Sequence, residues 1–440
     1  MWKEVLRSYM KKIVQIYNIG GLHDLLVKSV KRVNDFIAPK YAIVAVISRL
    51  LLRIQDRSSL ESVANTYHYS TSERIEYQEP YNLEPIPEEF SHVFGEQKFE
   101  QPFVCEIQNG LILRKTGIRT MSDFSVILET VSGRRDSLEN YLGKNMSYLI
   151  KLLSLQFLSN SNRPTNYDYE CACPLMSIQK GSDGPGGFSG WVQDSLTKLE
   201  GVEYYRDRTG ESPVIILEPD PPDYQIESLH ALGYTEDDYT MWDGKEKHIK
   251  KLIIPTSRRP ENNISYYKHR LIREYNREYV SIAPSACRWL RSAAEGRVET
   301  NNLGSFSGKI IISRSDASRR RIINQNKLVN SLKKEGFESY ELSNLTFEET
   351  IKMFSQAEVV VGPHGAGLAS TVFSHDCKII EIFGYNIRPI FFMLSENINN
   401  DYGLVFGKPV EQDIIADVDD IKKIHSLMQD EMNDKSNTKY

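Results

Sequence analysis

The sequence is poor in the features that mark secreted, metal-binding and membrane-spanning proteins. Its 440 residues include only five cysteines, whose spacing fits neither a disulfide framework nor a zinc site. The longest early apolar run, Tyr41 to Ile47, is ended by Arg49 and is shorter than the ~20 residues of a spanning helix. Residues 1–14 lack the pattern of a signal peptide. The sequence therefore predicts a soluble, cytoplasmic protein without a bound metal, with reduced thiols and two or more domains.

The net charge of −5 hides an uneven distribution along the chain. Residues 1–53 carry ten lysines and arginines against three acidic residues, a net charge of +7. Within this segment, apolar residues recur at helical spacing over residues 22–37, with basic residues between them. Such a helix could bind an anionic membrane surface, for example the inner face of the cell membrane, or could pack as a cap on the rest of the protein. Nucleic acid is a poorer partner, because the rest of the chain is acidic and contains no recognised nucleic-acid-binding module.

Strands and helices alternate in two parts of the chain, which predicts an α/β protein. Helices of 10 to 15 residues between short apolar strands indicate right-handed crossovers and parallel sheets covered on both faces. We therefore expect two Rossmann-like lobes facing across a cleft. The predicted units are a basic helical extension and linker at 1–75, a first lobe at 76–285, and a second lobe at 286–440. The last helix of the second lobe is predicted to pack back on the first.

Two local predictions concern the first lobe. Residues 103–115 resemble a hairpin that turns at Asn109-Gly110, a pair suited to left-handed backbone angles. Residues 191–205 have the pattern of a helix that ends near Gly201, after a loop at 160–190 that is rich in Asn, Ser, Pro and Gly.

The stretch VVVGPHGAGLASTVF, residues 359–373, carries the strongest functional signal. An apolar strand is followed by a glycine-rich loop and the first turn of a helix, whose unpaired N–H groups favour an anion. The glycines would let a diphosphate approach the backbone, and His364 could donate a hydrogen bond to it. The alternative is a tight turn with a structural histidine. The loop residues concerned are Gly362, His364, Gly365, Ala366 and Gly367.

Two familiar nucleotide-binding loops do not fit this stretch. A Walker A loop needs a lysine, and none lies between 359 and 377. The dinucleotide fingerprint fails at its third glycine, which is replaced by Ser370. The fingerprint also normally opens its domain, whereas too little chain follows here for the remaining nucleotide-binding half. A nicotinamide-dependent enzyme is therefore a weak alternative.

Basic residues follow the strand KIIIS in the segment SRSDASRRR. Arg314 leaves the strand directly, and its guanidinium can pair bidentately with a phosphate at the carboxyl end of the sheet. Arg319 is a second candidate. The alternative is a solvated basic loop, which we favour for most of the cluster that follows Arg314.

Residues 309–384 closely resemble the C-terminal block of glycosyltransferase family 61, whose members include many prokaryotic cell-surface polysaccharide enzymes. The resemblance rests on the strand that ends in Ser-Arg, Gly336-Phe337, the helix before Ala357, the G-P-H-G-A-G-L loop, Phe373 and Glu381. It implies a two-lobed GT-B architecture and inverting transfer from a nucleotide-sugar, often a UDP-sugar, without a bound metal or other cofactor. A glycan or lipid-linked molecule would be the acceptor.

The resemblance also suggests roles for individual residues. Inverting transfer needs a base for the acceptor hydroxyl and positive charge for the departing diphosphate. The family usually has a histidine where Gly190 stands, so Asp194 is the first candidate for the base, with Trp191 beside it on the acceptor side. His364 is assigned to the diphosphate or the donor sugar. Glu381 would accept hydrogen bonds from the ribose, or would be a buried structural partner of an arginine.

The family's usual asparagine after G-A-G-L-x is also replaced, by Ser370. These two departures leave open a non-catalytic relative that binds a nucleotide-sugar or glycan without transferring it.

Overall fold

The structure is a computed structural model. It describes residues 44, 47–48, 50–91, 93–131, 135–158, 166–176, 187–260, 265–268, 275–278, 281–299 and 302–437. The predicted amphipathic helix at 22–37 lies outside these residues. Within them, no helix is long and apolar enough to cross a membrane.

The described strands alternate with helices along most of the chain. The strands are β1 Ile54–Gln55, β2 Asn65–His68, β3 Glu73–Tyr77, β4 Gly95–Phe99, β5 Phe103–Ile112, β6 Arg119–Thr120, β7 Val126–Ile127, β8 Tyr169–Pro174, β9 Val214–Leu217, β10 Tyr239–Met241, β11 Lys247–Pro255, β12 Ser265–Lys268, β13 Tyr275–Glu278, β14 Lys309–Ser313, β15 Glu338–Glu341, β16 Val359–Pro363, β17 Lys378–Phe383, β18 Asp401–Phe406, β19 Lys408–Val410 and β20 Asp413–Ile415. The α-helices are α1 Arg57–Val63, α2 Glu88–Ser91, α3 Arg135–Lys144, α4 Met146–Leu158, α5 Phe188–Gly190, α6 Leu199–Thr209, α7 Asp223–Ala231, α8 Pro284–Arg297, α9 Gln325–Leu332, α10 Phe347–Ser355, α11 Ile390–Ile398 and α12 Val418–Asn437.

The first large sheet is mixed rather than parallel. Its order is β1-β7-β6-β5-β11-β8-β9-β10, with β2 also paired to β5. Strands β11, β8, β9 and β10 run parallel, as βαβ units require, but β5 is antiparallel to its neighbours. The prediction of a purely parallel sheet is therefore wrong for this half of the protein. Strands β1 and β2 belong to this sheet, so part of the segment predicted as an extension is built into it.

The hairpin predicted at 103–115 is wrong, because β5 is one continuous strand. Asn109 does have a left-handed φ of 58°, as a hairpin turn would require. The strand nevertheless continues past it and stays paired with β11 from Val104 to Ile112. Leu252 of β11 fills the space where Gly110 would carry a side chain. The long partner strand thus overrides the local turn preference.

The second large sheet agrees with the pattern predicted from the sequence. Five parallel strands lie in the order β15-β14-β16-β17-β18. The predicted capping box at the start of α10 is confirmed, since Thr346 and Glu349 each bond the other's backbone N–H. This part of the protein is a Rossmann-like α/β unit.

The final helix, α12, packs against the second sheet. It contacts β17, β18 and α9, and Ile424 fills the space beside Gly403 at 2.5 Å from the position of a Cβ there. The prediction that this helix packs back on the first lobe is therefore wrong. A glycine on β18 lets the helix lie close to the strand, which favours burial of its apolar side on the nearer sheet.

An earlier segment also reaches the second sheet. Tyr81 forms a parallel bridge with Gly403 on the outer edge of β18, accepting from Leu404 N at 2.9 Å and donating to Tyr402 O at 2.9 Å. The Tyr77 hydroxyl donates to Asn397 at 2.8 Å. Residues at the start of the predicted first lobe therefore pack onto the second unit.

The helical region after residue 187 is longer and less regular than predicted. Phe188–Gly190 leads into a π-helix at Trp191–Ser195, a 3₁₀ turn at Leu196–Lys198, and then α6. Helix α6 ends at Thr209, before Gly210 with φ 76°, so the end predicted at Gly201 is wrong. The π-helix and α5 lie against the 3₁₀ helix Ala366–Phe373 of the second unit. The two-lobed GT-B cleft itself stays a prediction.

Candidate nucleotide-binding site

The glycine loop lies at the switch point of the second sheet. The chain moves from β14 outward to β15, and then returns to place β16 on the other side of β14. In open α/β sheets, ligands bind outside the carboxyl ends of the strands where the order reverses in this way. Arg314 directly follows β14, and His364 directly follows β16. The two strongest candidates from the sequence therefore meet at the edge where this fold binds ligands.

Arg314 reaches across this edge to the glycine loop. A side chain at Gly365 would overlap the Arg314 guanidinium, whose Cζ lies 3.0 Å from the position of a Cβ there. In the described part of the chain, Arg314 has no side-chain hydrogen bond or ion pair, and its Nε is buried without a partner. Buried polar groups are normally satisfied. An anion at this position would supply the missing partner.

A second cation lies close to Arg314. Burial lowers the pKa of Arg314, and the positive charge of Arg319 lowers it further, while Asp316 acts in the opposite direction. The neighbouring Arg321 is different, because Asp413 holds its guanidinium at 2.6 Å. The sequence signal SRSDASRRR thus separates into a pair of cations available to an anion, Arg314 and Arg319, and a structural ion pair.

The glycines of the loop have different reasons to be glycine. Gly365 leaves room for Arg314, and it needs no unusual backbone, since its φ of −177° is extended. A Cβ at Gly362 would lie 3.0 Å from Ile312, and one at Gly367 would lie 2.6 Å from Leu342. Packing against protein side chains thus accounts for these two glycines. Gly365 and Ala366 remain beside the first turn of the 3₁₀ helix, where unpaired N–H groups can face an anion.

His364 is held by a buried pair of residues on the next two strands. Its Nδ1 lies 2.5 Å from Glu381 Oε1, and Glu381 Oε2 accepts from the Tyr402 hydroxyl at 2.5 Å. Glu381 is fully buried and His364 is 4% exposed. Burial and the Glu381 charge raise the pKa of Tyr402 well above its usual value, so its hydroxyl stays a donor. The three side chains form a continuous hydrogen-bonded chain, which we call the His–Glu–Tyr chain.

The Glu381 carboxylate is not accessible to the ribose of a bound nucleotide. Both of its oxygens are engaged inside the protein, and the side chain has no exposure to solvent. The predicted ribose contact is therefore replaced by a buried structural role, with a histidine and a tyrosine as partners rather than the arginine considered from the sequence. Tyr402 was not predicted, because nothing in the local pattern DYGLVF marks one tyrosine of a buried strand as a partner of a distant glutamate.

Asp194 is buried between two cations. Its Oδ2 lies 3.5 Å from Lys198 Nζ, and its Oδ1 lies 3.6 Å from Arg259 Nε. Burial alone would raise the pKa of Asp194, but the charges of Lys198 and Arg259 outweigh burial and lower it. A general base works best when its pKa lies near the working pH. This environment favours a structural counter-ion and makes Asp194 a poor candidate for the base.

Trp191 does not face a cleft. It is 1% exposed and belongs to an apolar core that both units share, and its indole N–H donates to Ser228 Oγ at 2.8 Å. These contacts give Trp191 a structural role, and its acceptor-side role stays a prediction. The π-helix geometry turns this large side chain inward, which helical spacing from Asp194 does not reveal.

The π-helix and the 3₁₀ helix Ala366–Phe373 both carry buried polar atoms without hydrogen-bond partners. Gln193 Oε1, Asp194 Oδ1 and Ser370 Oγ are buried without hydrogen-bond partners. π-Helical turns occur frequently at functional sites. The structure thus brings the segment around Gly190 and the helix after the glycine loop into contact, although they are about 180 residues apart in the sequence.

No group of three or more histidine, cysteine or acidic side chains within the described residues is placed to hold a metal ion. The prediction of a metal-independent site stays a prediction.

Comparison with known proteins shows which family the chain is similar to. Residues 170–380 match the profile of the family described as Glycosyltransferase 61, and this range includes Asp194, Arg314 and His364. The comparison supports a glycosyltransferase domain. More particularly, it supports membership in glycosyltransferase family 61, as the resemblance of residues 309–384 implied.

A curated relative points the same way. The chain is 33% identical over 92 residues to an EGF domain-specific O-linked N-acetylglucosamine transferase from Gallus gallus. The alignment covers 19% of this chain and 17% of the relative, so the chain spans about a sixth of that relative's length.

Proposed function

We propose that this protein is an inverting glycosyltransferase that transfers a sugar from a nucleotide-sugar to a glycan or lipid-linked acceptor. The observation that carries the proposal is the meeting of Arg314, Gly365 and His364 at the switch point of the second sheet, within the family match. Arg314 and Arg319 bind the diphosphate, and the first turn of the 3₁₀ helix and His364 complete its environment. The positive charge stabilises the diphosphate as it leaves.

The donor is proposed to be a UDP-sugar. The name of the Gallus gallus relative makes UDP-N-acetylglucosamine the first donor to test. We further propose a prokaryotic role in cell-surface polysaccharide synthesis. In that setting the +7 charge of residues 1–53 would draw the protein to the inner face of the membrane, where a lipid-linked acceptor is available.

Thermal shift measurements test the nucleotide site. The purified protein would be heated with UDP, GDP, CMP, dTDP or NADH, with and without EDTA. A ligand at a hundred times its dissociation constant stabilises a fold by about 2.7 kcal/mol, which is readily detected. We expect a selective shift with UDP that EDTA does not change and that Arg314→Ala removes.

The chain contains a matched control for this variant. Arg321 lies in the same basic segment, but its guanidinium is occupied by Asp413. Arg321→Ala should therefore leave the UDP shift unchanged. Equal loss of the shift in both variants would assign it to the general positive charge of the segment, and a shift with NADH alone would contradict the proposal.

The second candidate is a relative that binds the nucleotide-sugar without transferring it. Gly190 in place of the family's usual histidine and the low pKa of Asp194 favour this reading. Incubation with UDP-sugars that carry a label in the sugar, together with lipid-linked glycan extracts, separates the two. Label in the glycan supports the transferase. UDP binding with neither transfer of the label nor hydrolysis of the donor supports the binding protein.

A further inference from the structure

The His–Glu–Tyr chain crosses three neighbouring strand positions of the second sheet. His364 directly follows β16, Glu381 lies in β17, and Tyr402 lies in β18. The register pairs Gly362 with Glu381, which brings the carboxylate beside the glycine loop. The sheet itself therefore fixes the spacing of the three side chains.

The His–Glu–Tyr chain is enclosed by aromatic rings. The His364 imidazole stacks on Phe383, with centroids 5.4 Å apart and planes 25° apart, and Phe391 lies 5.6 Å away. The Tyr402 ring packs against Phe392 at 5.5 Å. Hydrogen bonds in such apolar surroundings are stronger than in water, and little water competes for them.

With Glu381 ionised, its hydrogen bond to Nδ1 sets the state of the His364 imidazole. An ionised carboxylate can only accept hydrogen bonds, so Nδ1 of His364 carries a proton. Within the described residues, Nε2 of His364 makes no hydrogen bond to another protein group. The neutral ring therefore presents Nε2 as an acceptor, which suits neither a phosphate oxygen nor any other anion. Only the doubly protonated ring can donate to one.

We infer that binding of a nucleoside diphosphate is coupled to uptake of one proton by His364, with Glu381 and Tyr402 as positioning residues. The proton binds at Nε2, which then donates to a diphosphate oxygen. Glu381 balances the charge of the imidazolium at Nδ1, in the way a buried carboxylate stabilises a catalytic imidazolium. The inference rests on the proposed function, since it names how that site receives its anion.

The other charged groups near the site either favour or disfavour a positive charge on His364. Those in contact with His364 or its loop are Glu381 from β17, Tyr402 from β18, and Arg314 from the segment after β14, and Arg319 lies near Arg314. The two arginines attract the diphosphate but disfavour a further positive charge, and Glu381 favours it. Bound diphosphate also favours the imidazolium, which is why binding and proton uptake support each other.

Calorimetry of UDP binding tests the coupling. Affinity would be measured from pH 7 to 8.5, where the terminal phosphate, with a second pKa near 6, is ionised and the uracil ring of UDP keeps its proton. Titrations in buffers of different ionisation enthalpy give the number of protons taken up. We expect uptake that approaches one proton, and UDP affinity that falls by about tenfold per pH unit at the alkaline end. In His364→Gln, affinity should be lower and independent of pH across this range.

Variants of the positioning residues separate this role from a structural one. Glu381→Gln should weaken UDP binding at pH 7.5 by about tenfold or more and move the pH dependence to lower pH. Tyr402→Phe should weaken binding by about threefold. The matched control is Tyr205→Phe, since the Tyr205 hydroxyl also donates to a glutamate, Glu106, at 2.7 Å and its ring is also buried, but in the first unit. Its UDP affinity should equal that of the wild type.

The outcomes distinguish the two proposals. Absence of UDP binding at every pH would overturn the proposed nucleotide site. Tight UDP binding that is independent of pH, with no proton uptake, would leave that site intact and overturn the coupling to His364. Equal effects of Tyr402→Phe and Tyr205→Phe on affinity would overturn the positioning role of Tyr402.

Discussion

Two buried carboxylates, Asp194 in the first unit and Glu381 in the second, have opposite surroundings. Asp194 lies between the cations Lys198 and Arg259. Glu381 lies between the side chains of His364 and Tyr402, with aromatic rings around them. The first carboxylate is neutralised by fixed charges, whereas the second faces one group that can gain a proton.

The difference shows why a carboxylate near a site is not by itself a base. Fixed cations stabilise the ionised form of Asp194 and so disfavour its protonation. Glu381 instead acts through His364, because its hydrogen bond to Nδ1 positions the imidazole. Chemistry at this site is therefore expected to depend on the second carboxylate and stability on the first.

The largest expected effect is that of Asp194→Ala on stability. Removing this carboxylate leaves Lys198 and Arg259 buried without it, and breaking a buried ion pair in this way costs about 3–5 kcal/mol. We expect the melting temperature to fall by about 10 °C. Asp194→Asn, which keeps the shape of the side chain but removes its charge, is the companion variant. Unchanged stability together with abolished transfer would restore Asp194 as the base.

The next effect concerns Gly365→Ala, which alters the nucleotide site and leaves both carboxylates in place. The new Cβ would overlap the end of the Arg314 side chain, which must move away. We expect UDP binding to weaken by about tenfold, with little change in melting temperature, because a flexible side-chain end yields easily. Gly304→Ala is the control, since a Cβ there meets nothing closer than Phe306 at 3.9 Å. Unaltered UDP affinity in Gly365→Ala would contradict the placement of Arg314.

A smaller effect is expected for the stability of Tyr402→Phe and Tyr205→Phe. Each removes one buried hydroxyl that donates to a glutamate, at a cost of about 1 kcal/mol. Thermal unfolding should therefore show similar losses, of about 2–4 °C, in the two variants. Similar stability with different UDP affinity would sharpen the contrast between the two units, while a much larger loss for Tyr402→Phe would point to a mainly structural role.

The smallest expected effect is a pH dependence of stability from a third carboxylate, Glu396. Burial raises the pKa of Glu396 to about 7, although Gln78 N donates to it at 3.1 Å. The folded protein therefore holds a proton that the unfolded chain releases above its ordinary pKa of 4.5. This contribution to stability is fully present below pH 4.5 and is lost as the pH rises to about 7.

Melting curves of the wild type and Glu396→Gln between pH 5 and 7.5 test this assignment. The wild type should lose about 2 °C more than the variant over this interval. Parallel pH profiles would show that Glu396 does not titrate in the folded protein in this range.

Four of the five strands of the second sheet could be predicted from the sequence, whereas the strand pairing of the first sheet could not. Strands such as VVVGP and KIIEIF are short apolar runs between clear helix signals, and their parallel pairing follows from that alternation. In the first unit, pairing with β11 decides the structure of β5, and the local Asn109-Gly110 signal is misleading. Strand β8, YECACP, lies inside a stretch that has the composition of a loop.

Within the candidate site, too, some residues could be predicted from the sequence and others could not. Arg314 and His364 could be predicted, because each directly follows a strand and lies at the ligand-binding edge. The roles of Trp191, Asp194 and Glu381 depend on which face is buried and which charges lie beside it. Those depend on the π-helix and on the register of three strands, neither of which leaves a periodic signal in the sequence.

The bridge between Tyr81 and Gly403 has a consequence for biosynthesis. The edge of the second sheet is completed by a residue made more than three hundred positions earlier in translation. A ribosome adds about 5–20 residues per second, so the segment around Tyr81 must wait on the order of half a minute for its partner strand. During that time the first sheet can form, but Tyr77 and Tyr81 have no docking place. We expect the two units to mature together after release, rather than one after the other at the exit tunnel.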